Sequence, residues 1–322
     1  MLFQGLCVSL HGESRRIMEK FEVTILGCGS ALPTTRHNGS AQILNVREKY
    51  FLIDCAEGTQ LQLRRHHVQL NRMNHIFISH LHGDHCFGLI GLISTQGLLG
   101  RIAPLHIYGP EDIEKVFRPQ IDYFCQPHLS FPVEFHPISS KEGGCIYEDR
   151  SVCVYNIPLR HRVPCNGFLF KEQPLLPHIR RDAIECYHIP VSQINNIKAG
   201  MDYTLEDGTV VPNEQLTTPS APPRSYAYCT DTVYLPHIAQ QMEGVDLLYH
   251  EATFSKEDEY LSQKVFHSTT HQAAMIARKA GAKQLMIGHF STRYDDEQLL
   301  LDEAKEIFPN TLLAREGLTC SL

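Results

Sequence analysis

Tryptophan is absent from the 322 residues, and no apolar run approaches the ~18 residues that a membrane-spanning helix needs. The first twenty residues lack the compact apolar block and small-residue cleavage site of a secretory leader, so a cytoplasmic protein with no membrane partner is expected. Eleven cysteines are scattered without one CxxC pair, which argues against a disulfide framework and against a cysteine zinc site. Any metal must therefore rely on histidine and carboxylate. Positive charge is also short: 29 Lys and Arg stand against 36 Asp and Glu, for a formal net charge of −7. That balance excludes a surface coated for indiscriminate nucleic-acid binding but leaves room for a local basic patch.

What is present is a folding chain with 43% hydrophobic residues, enough for one large domain or two ordinary ones, and nineteen histidines. Many of the histidines, such as His11, His37, His66 and His67, have no ligand spacing and read as ordinary surface or satisfied buried residues. Three do not. His80, His82 and His85 share six residues with Asp84, directly after the β-branched and aromatic run Ile76-Phe77-Ile78. Gly83 is expected to turn the chain sharply so that these side chains converge, and Cys86 to Leu99 reads as one packed helix. Imidazole with carboxylate, held between a strand and a helix, suits zinc and similar divalent ions.

Along the chain, residues 1–17 are weakly patterned and are expected to be a disordered extension, with a single catalytic domain from 18 to 322. Phe21 to Leu26 alternates as a strand and stops at Gly27-Cys28-Gly29-Ser30. That GxG lacks the third glycine of a dinucleotide fingerprint and reads as a tight turn after an edge strand. Strands are expected at Ala41 to Val46, Tyr50 to Asp54 and Leu105 to Tyr108, with a helix from Thr59 to about His66 and another beginning at Glu111. A second run of strands occupies Phe131 to Cys165, so two β-rich halves carry attached helices.

Four later positions repeat the design of the first motif, an apolar strand whose carboxyl end bears a ligand-type side chain: His161, Asp231, His250 and His289. Adding His161, Asp231 and His289 to the first four makes seven ligands, too many for one tetrahedral ion but suitable for two bridged by a carboxylate.

These motifs resemble the metallo-β-lactamase superfamily and, within it, the ribonuclease Z family of tRNA 3′-processing endonucleases. The narrower likeness rests on Gly27-Cys-Gly-Ser, Asp54-Cys-Ala-Glu-Gly-Thr-Gln, Cys229-Thr-Asp-Thr, His250-Glu-Ala-Thr-Phe, His267-Ser-Thr and Gly288-His-Phe-Ser-Thr-Arg-Tyr. It implies an α/β fold, an αββα four-layer sandwich, with two zinc ions, manganese or iron being alternatives. It implies that His80, His82 and His161 hold one ion, that Asp84, His85 and His289 hold the other, and that Asp231 bridges them. Asp84 would also accept the proton of the attacking water. Asp54 would orient a ligand histidine from behind, and His267, partnered by Glu251, would protonate the departing ribose oxygen. The implied substrate is precursor tRNA, and the implied assembly a homodimer.

Between Lys171 and Arg224 seven prolines and polar turns replace the hydrophobic alternation, which marks an insertion. Its part at about 171–200 corresponds to the family's tRNA-gripping arm, with Arg180, Arg181 and Lys198 as candidate contacts. Tyr187 to Gly200 lacks the Gly-Pro pair that many relatives carry at the arm's tip. Two rivals stay open on the sequence: a hydrolase of the same fold acting on a small phosphodiester or sulfate ester, and a binding module without activity.

Overall fold

The protein is described here by a computed structural model covering residues 19–32, 34–125 and 129–322. The expected extension at 1–17 lies outside the described residues.

The chain opens with three antiparallel strands, β1 (Phe21–Gly27), β2 (Ala41–Val46) and β3 (Lys49–Ile53). Helix α1 (Thr59–Arg65) then leads to β4 (Met73–Phe77), parallel to β3. The motif ends within α2 (Gly83–Cys86), and α3 (Leu89–Leu98), β5 (Leu105–Pro110), α4 (Ile113–Phe124) and β6 (Val133–Ile138) follow. The second sheet begins with the antiparallel β7 (Gly144–Glu148), β8 (Val152–Arg160) and β9 (Pro164–Glu172).

The insertion follows, with β10 (His178–Ile179), α5 (Arg181–Cys186), α6 (Val191–Lys198), β11 (Tyr203–Thr204), β12 (Val210–Val211), α7 (Asn213–Leu216) and β13 (Thr217–Thr218). The chain returns through β14 (Ser225–Cys229), β15 (Leu247–Glu251), α8 (Glu259–Val265), α9 (Thr270–Ala280) and β16 (Gln284–Gly288), and ends with α10 (Gln298–Ile307), β17 (Thr311–Leu313) and β18 (Thr319–Ser321).

Two seven-stranded sheets result, ordered β18-β1-β2-β3-β4-β5-β6 and β17-β16-β15-β14-β9-β8-β7. Each joins an antiparallel set to a parallel set, the two-halved pattern the alternation implied. The inner faces meet through Phe51, Phe77, Phe168 and Phe170, stacked edge-on at 5.4 to 5.9 Å between centroids where the sheets touch. On the outside, Leu89, Leu92 and Ile93 of α3 with Ile113, Phe117 and Ile121 of α4 cover the first sheet. Ala273, Ala277 and Ala280 of α9 with Leu300 and Ala304 of α10 cover the second. This is an αββα sandwich, as expected.

Burying each large side chain contributes roughly 1.5–3 kcal/mol, so the inter-sheet aromatics make a rigid platform beneath the loops at its edge. Parallel strands end together, and that is what makes the site. Ile53 pairs with Phe77, so Asp54 emerges beside Ser79. Cys229 pairs with His250 and Glu251 with Gly288, so Asp231, Glu251 and His289 leave one sheet edge side by side.

Several local expectations change. β1 is not an edge strand, because β18 pairs with its outer side. The helix expected over Cys86 to Leu99 starts later, as α3, and is preceded by the separate short α2, on which Asp84 and His85 lie. Gly88 between them stands against the Ala56 carbonyl, where a Cβ would sit 2.1 Å from the oxygen. Gly83 does not serve a left-handed turn; a Cβ there would lie 2.4 Å from the Phe87 ring, so glycine makes room for that ring. The terminal elements α10, β17 and β18 carried no sequence expectation.

The segment at 171–200 belongs to a longer excursion. Glu172 N–H donates to the Arg224 carbonyl at 2.8 Å where the chain leaves and returns, and Ala183, Ile189, Ile197, Val211 and Leu216 form a small core of their own. No helix among the described residues is long and apolar enough to cross a membrane.

Candidate metal and catalytic site

Where the edges of the two sheets meet, the hydrogen bonds assign the tautomers one after another. Asp54, whose φ is +55°, accepts Ser79 N–H at 2.7 Å, Ser79 Oγ–H at 2.9 Å and the Tyr228 hydroxyl at 2.7 Å. It also accepts His85 Nδ1–H at 2.7 Å. With its own proton given to Asp54, Ser79 Oγ accepts from His80 Nδ1 at 3.0 Å. Thr253 donates to Glu251 Oε2 at 2.5 Å and so accepts from His289 Nδ1 at 2.8 Å. His161 Nδ1 donates to the Phe266 carbonyl at 3.0 Å, and His267 Nδ1 to Glu251 Oε1 at 2.9 Å. His80, His85, His161 and His289 thus carry a proton on Nδ1 and turn Nε2 inward, while His267 Nδ1–H is taken by Glu251.

Those lone pairs face one another. His80 Nε2 lies 3.0 Å from His82 Nδ1, which lies 3.2 Å from His161 Nε2. Asp231 Oδ2 is 3.6 Å from His80 and from His161. On the other side His85 Nε2 and His289 Nε2 are 3.4 Å apart, each 3.2 Å from Asp231 Oδ1. Asp84 Oδ2 closes that group at 3.6 Å from His85 and 3.7 Å from His289. Donors on a tetrahedral zinc with bonds of about 2.0–2.1 Å sit roughly 3.3 Å from each other. Both groups have that spacing and a donor set of imidazole and carboxylate, so the residues fit a pair of divalent ions. One oxygen of Asp231 faces each group.

Charge at the site follows the same geometry. Burial, reinforced by His85, pushes His80 well below the usual imidazole range, and burial also lowers His161 and His82. Burial alone would lower His85 as well, but Asp231 and Asp54 beside it win and raise it. Asp231 and Asp84 would be raised by burial; His289 and His85 overcome this and hold both carboxyls well below their ordinary value. His267 is likewise disfavoured as a cation by burial, and its ion pair with Glu251 lifts it to about 9. The site therefore gathers ionised carboxylates around groups that want positive charge.

The segment joining β1 to β2 holds Asp84 from outside. Ala31 N–H donates to Asp84 Oδ2 at 2.7 Å, and Ser40 N–H to the Asp84 carbonyl at 2.9 Å. Ala31, Phe266 and His289 share with Asp54 a positive φ that side chains other than glycine's rarely adopt. Such strain costs on the order of 1–3 kcal/mol per residue and persists where the surroundings over-determine it. Two clefts meet at His82 and Asp84: one of 310 Å³ over the cluster, lined also by His161, Arg162 and His267, and one of 690 Å³ running towards Glu57 and Phe87.

The structure brings together all seven candidate ligands, along with Asp54, Glu251 and His267. His250 does not join them: it alternates away from Glu251, and its Nδ1 bonds to the Glu251 carbonyl at 2.7 Å. Arg180, Arg181 and Lys198 lie on the excursion, the two arginines exposed and paired with Asp182 and Glu185. Sequence reasoning did not find Ser79, Thr253, Tyr228 or the Phe266 carbonyl. For Ser79 and Thr253 a signal existed, a hydroxyl beside the ligand motif in Ser79-His80 and beside the acid in Glu251-Ala252-Thr253.

Fold and donor set define a metallohydrolase of the metallo-β-lactamase fold. Residues 217–290 match the beta-lactamase superfamily domain, and residues 21–120 match the family of the anti-Pycsar protein Apyc1. Ribonuclease Z of Phocaeicola vulgatus is 58% identical over 95% of this chain and 98% of its own. Ribonuclease Z of Azobacteroides pseudotrichonymphae is 48% identical over 93% and 98%. The crystal structure of the short form of human tRNase Z superposes with a TM-score of 0.66 at 25% identity, covering 93% of this chain and 98% of that one. The metallo-beta-lactamase fold protein YhfI from Bacillus subtilis superposes at 0.67 with 18% identity, a likeness of fold alone. The chain belongs to the ribonuclease Z family and is a hydrolytic endoribonuclease.

Proposed function

We propose that this protein removes the 3′ trailer from precursor tRNA, hydrolysing one phosphodiester to leave a 3′-hydroxyl after the discriminator nucleotide. The observation that carries this reading is the pair of donor groups sharing Asp231, whose inward lone pairs need cations. In this reading His80, His82 and His161 would hold one zinc and Asp84, His85 and His289 the second, with Asp231 serving both groups; manganese or iron would suit the same donors. When bound, two such ions supply a water acidified towards a pKa of ~7 and neutralise the phosphate oxygens.

The chain's own residues do the rest. Asp84, fixed by Ala31 N–H and Ser40 N–H, takes the proton from the attacking water. His267 Nε2, 4.0 Å from Asp231 and at the wall of the same cleft, gives a proton to the ribose O3′ as its bond to phosphorus breaks. Glu251 keeps that imidazole oriented and charged. Water's hydroxyl stays on the trailer's 5′-phosphate and the proton from His267 completes the 3′-hydroxyl, so the step balances.

The reading extends to a catalytic domain over 18–322 that works in the cytoplasm as a homodimer, the excursion of one subunit gripping tRNA for the other. The deciding experiment incubates the purified protein with a precursor tRNA bearing a 3′ trailer and with bis-p-nitrophenyl phosphate. Cleavage of the small ester alone would favour the rival phosphodiesterase; cleavage of neither would end the proposal.

Two smaller expectations attach here. Asp54→Asn deprives His85 of its charged partner and should weaken zinc affinity about 10- to 100-fold, measured by competition with a chelator. Unchanged affinity would remove Asp54 from that role. Changing Arg180 and Arg181 together to Ala should weaken precursor binding and flatten its salt dependence by up to about two in log-log slope, since each lost phosphate contact removes ~0.9. Their exposed acidic partners are held loosely enough to give way to phosphates. A slope equal to wild type would separate the excursion from tRNA binding.

A further inference from the structure

A second convergence of donor atoms lies beside the middle of β4, on strands β5 and β6. His75 there is in register with His106 on β5, and His106 with Glu134 on β6. Glu134 and His136 are two residues apart on one strand and so share a face. His106 Nδ1 is 3.1 Å from His136 Nε2 and 3.3 Å from Glu134 Oε2. One proton on His106 Nδ1 bonds well to only one of these neighbours, and a proton on His136 instead leaves the glutamate oxygen facing a bare lone pair. Either way one acceptor facing the group receives no proton from its two neighbours, and a cation could take its lone pair.

We propose that His106, Glu134 and His136 form a further divalent-cation site, suited to zinc, that ties strand β6 to β5. Two imidazoles and a carboxylate are a ligand set that suits zinc, and residues on neighbouring strands hold it more rigidly than a loop would. The ring planes are fixed: His75 stacks on His106 at 5.1 Å between centroids, and Tyr108 on His136 at 4.5 Å. His75 Nδ1 is itself buried with no hydrogen-bond partner among the described residues, so polar capacity that the protein does not use lies beside the site. The side chains of His106 and Glu134 are 27% and 49% exposed, which leaves an entry path and space for water to complete the coordination. β6 ends its sheet. An ion shared with β5 would fasten this terminal strand to its one neighbour, and by binding only the folded chain it would raise stability.

The test uses the full chain, stripped of metal and dialysed against buffered zinc chloride. The double variant His106→Gln/His136→Gln should retain one zinc ion fewer per chain than wild type, and zinc should raise its unfolding temperature less. Glu134→Gln, a change at a half-exposed side chain that keeps its shape, should bind the same ion about tenfold more weakly or worse; it keeps the test decisive if the double variant fails to fold. Hydrolysis of bis-p-nitrophenyl phosphate should be unchanged in both, because none of these residues touches the catalytic cluster. Zinc content and thermal shift equal to wild type in the folded variants would overturn the proposal. The comparison counts a difference between proteins, so it stands whatever number of ions the catalytic site holds.

Discussion

Asp231→Asn is expected to empty both halves of the metal cluster and to lower hydrolysis of every phosphodiester by more than about 10³-fold. The carboxylate is buried, and each of its oxygens answers a different set of lone pairs: Oδ1 those of His85 and His289, Oδ2 those of His80 and His161. An amide of the same shape keeps one oxygen and replaces the other with an N–H donor. That N–H satisfies the imidazoles on its side directly, so the substitution removes a negative charge and also fills the place an ion would take. Losing the Lewis-acid contribution of bound ions forfeits several kcal/mol of transition-state stabilisation, and each 1.36 kcal/mol is tenfold in rate. His161→Ala is the control, because it belongs to one group only and should cost one ion. Metal analysis of the purified variants, with circular dichroism to establish folding, checks the result. An Asp231→Asn protein that keeps its full metal complement would show that Asp231 is not shared between the groups.

The candidate donor positions could be read from the chain because each follows an apolar strand, and the strands that carry them run the same way within their sheet and stop at a common edge. That rule picks out His161, Asp231 and His289, and His250 with them. His250 ends a strand equally well and yet points away, since alternation along β15 lets only one of His250 and Glu251 face the cluster. The supports were harder to see. Thr253 acts by passing a proton's position from His289 to Glu251, and Tyr228 reaches Asp54 across 174 positions of sequence; nothing local distinguishes either from an ordinary core residue. The left-handed backbone at Asp54 and His289 is equally silent in sequence, because local propensity would place neither there. Of the fold, the strands with strong alternation were legible. The terminal β17 and β18, three residues each, form because partners from elsewhere in the chain wait for them.

His267→Ala should lower cleavage of precursor tRNA by about 10²- to 10⁴-fold and leave hydrolysis of bis-p-nitrophenyl phosphate within about threefold of wild type. The asymmetry comes from the leaving groups. A ribose alkoxide is a strong base and departs slowly unless a proton reaches O3′ as the bond breaks, whereas nitrophenolate leaves without help. A residue that merely supported the metal cluster would depress both substrates together, so the ratio of the two rates isolates the acid.

Glu251→Gln sharpens the same test through pH. The carboxylate holds the His267 proton and lifts the imidazole to about 9 against the burial that would lower it. Without it the folded-state pKa falls, and since the acid must be protonated to act, the alkaline limb of tRNA cleavage should shift to lower pH. Glu251 also accepts Thr232 N–H at 2.8 Å and, through Thr253, steadies His289, so Gln is the substitution that keeps the shape while removing the charge. An alkaline limb that stays in place for tRNA, or one that moves equally for the nitrophenyl ester, would assign the proton to some group other than His267.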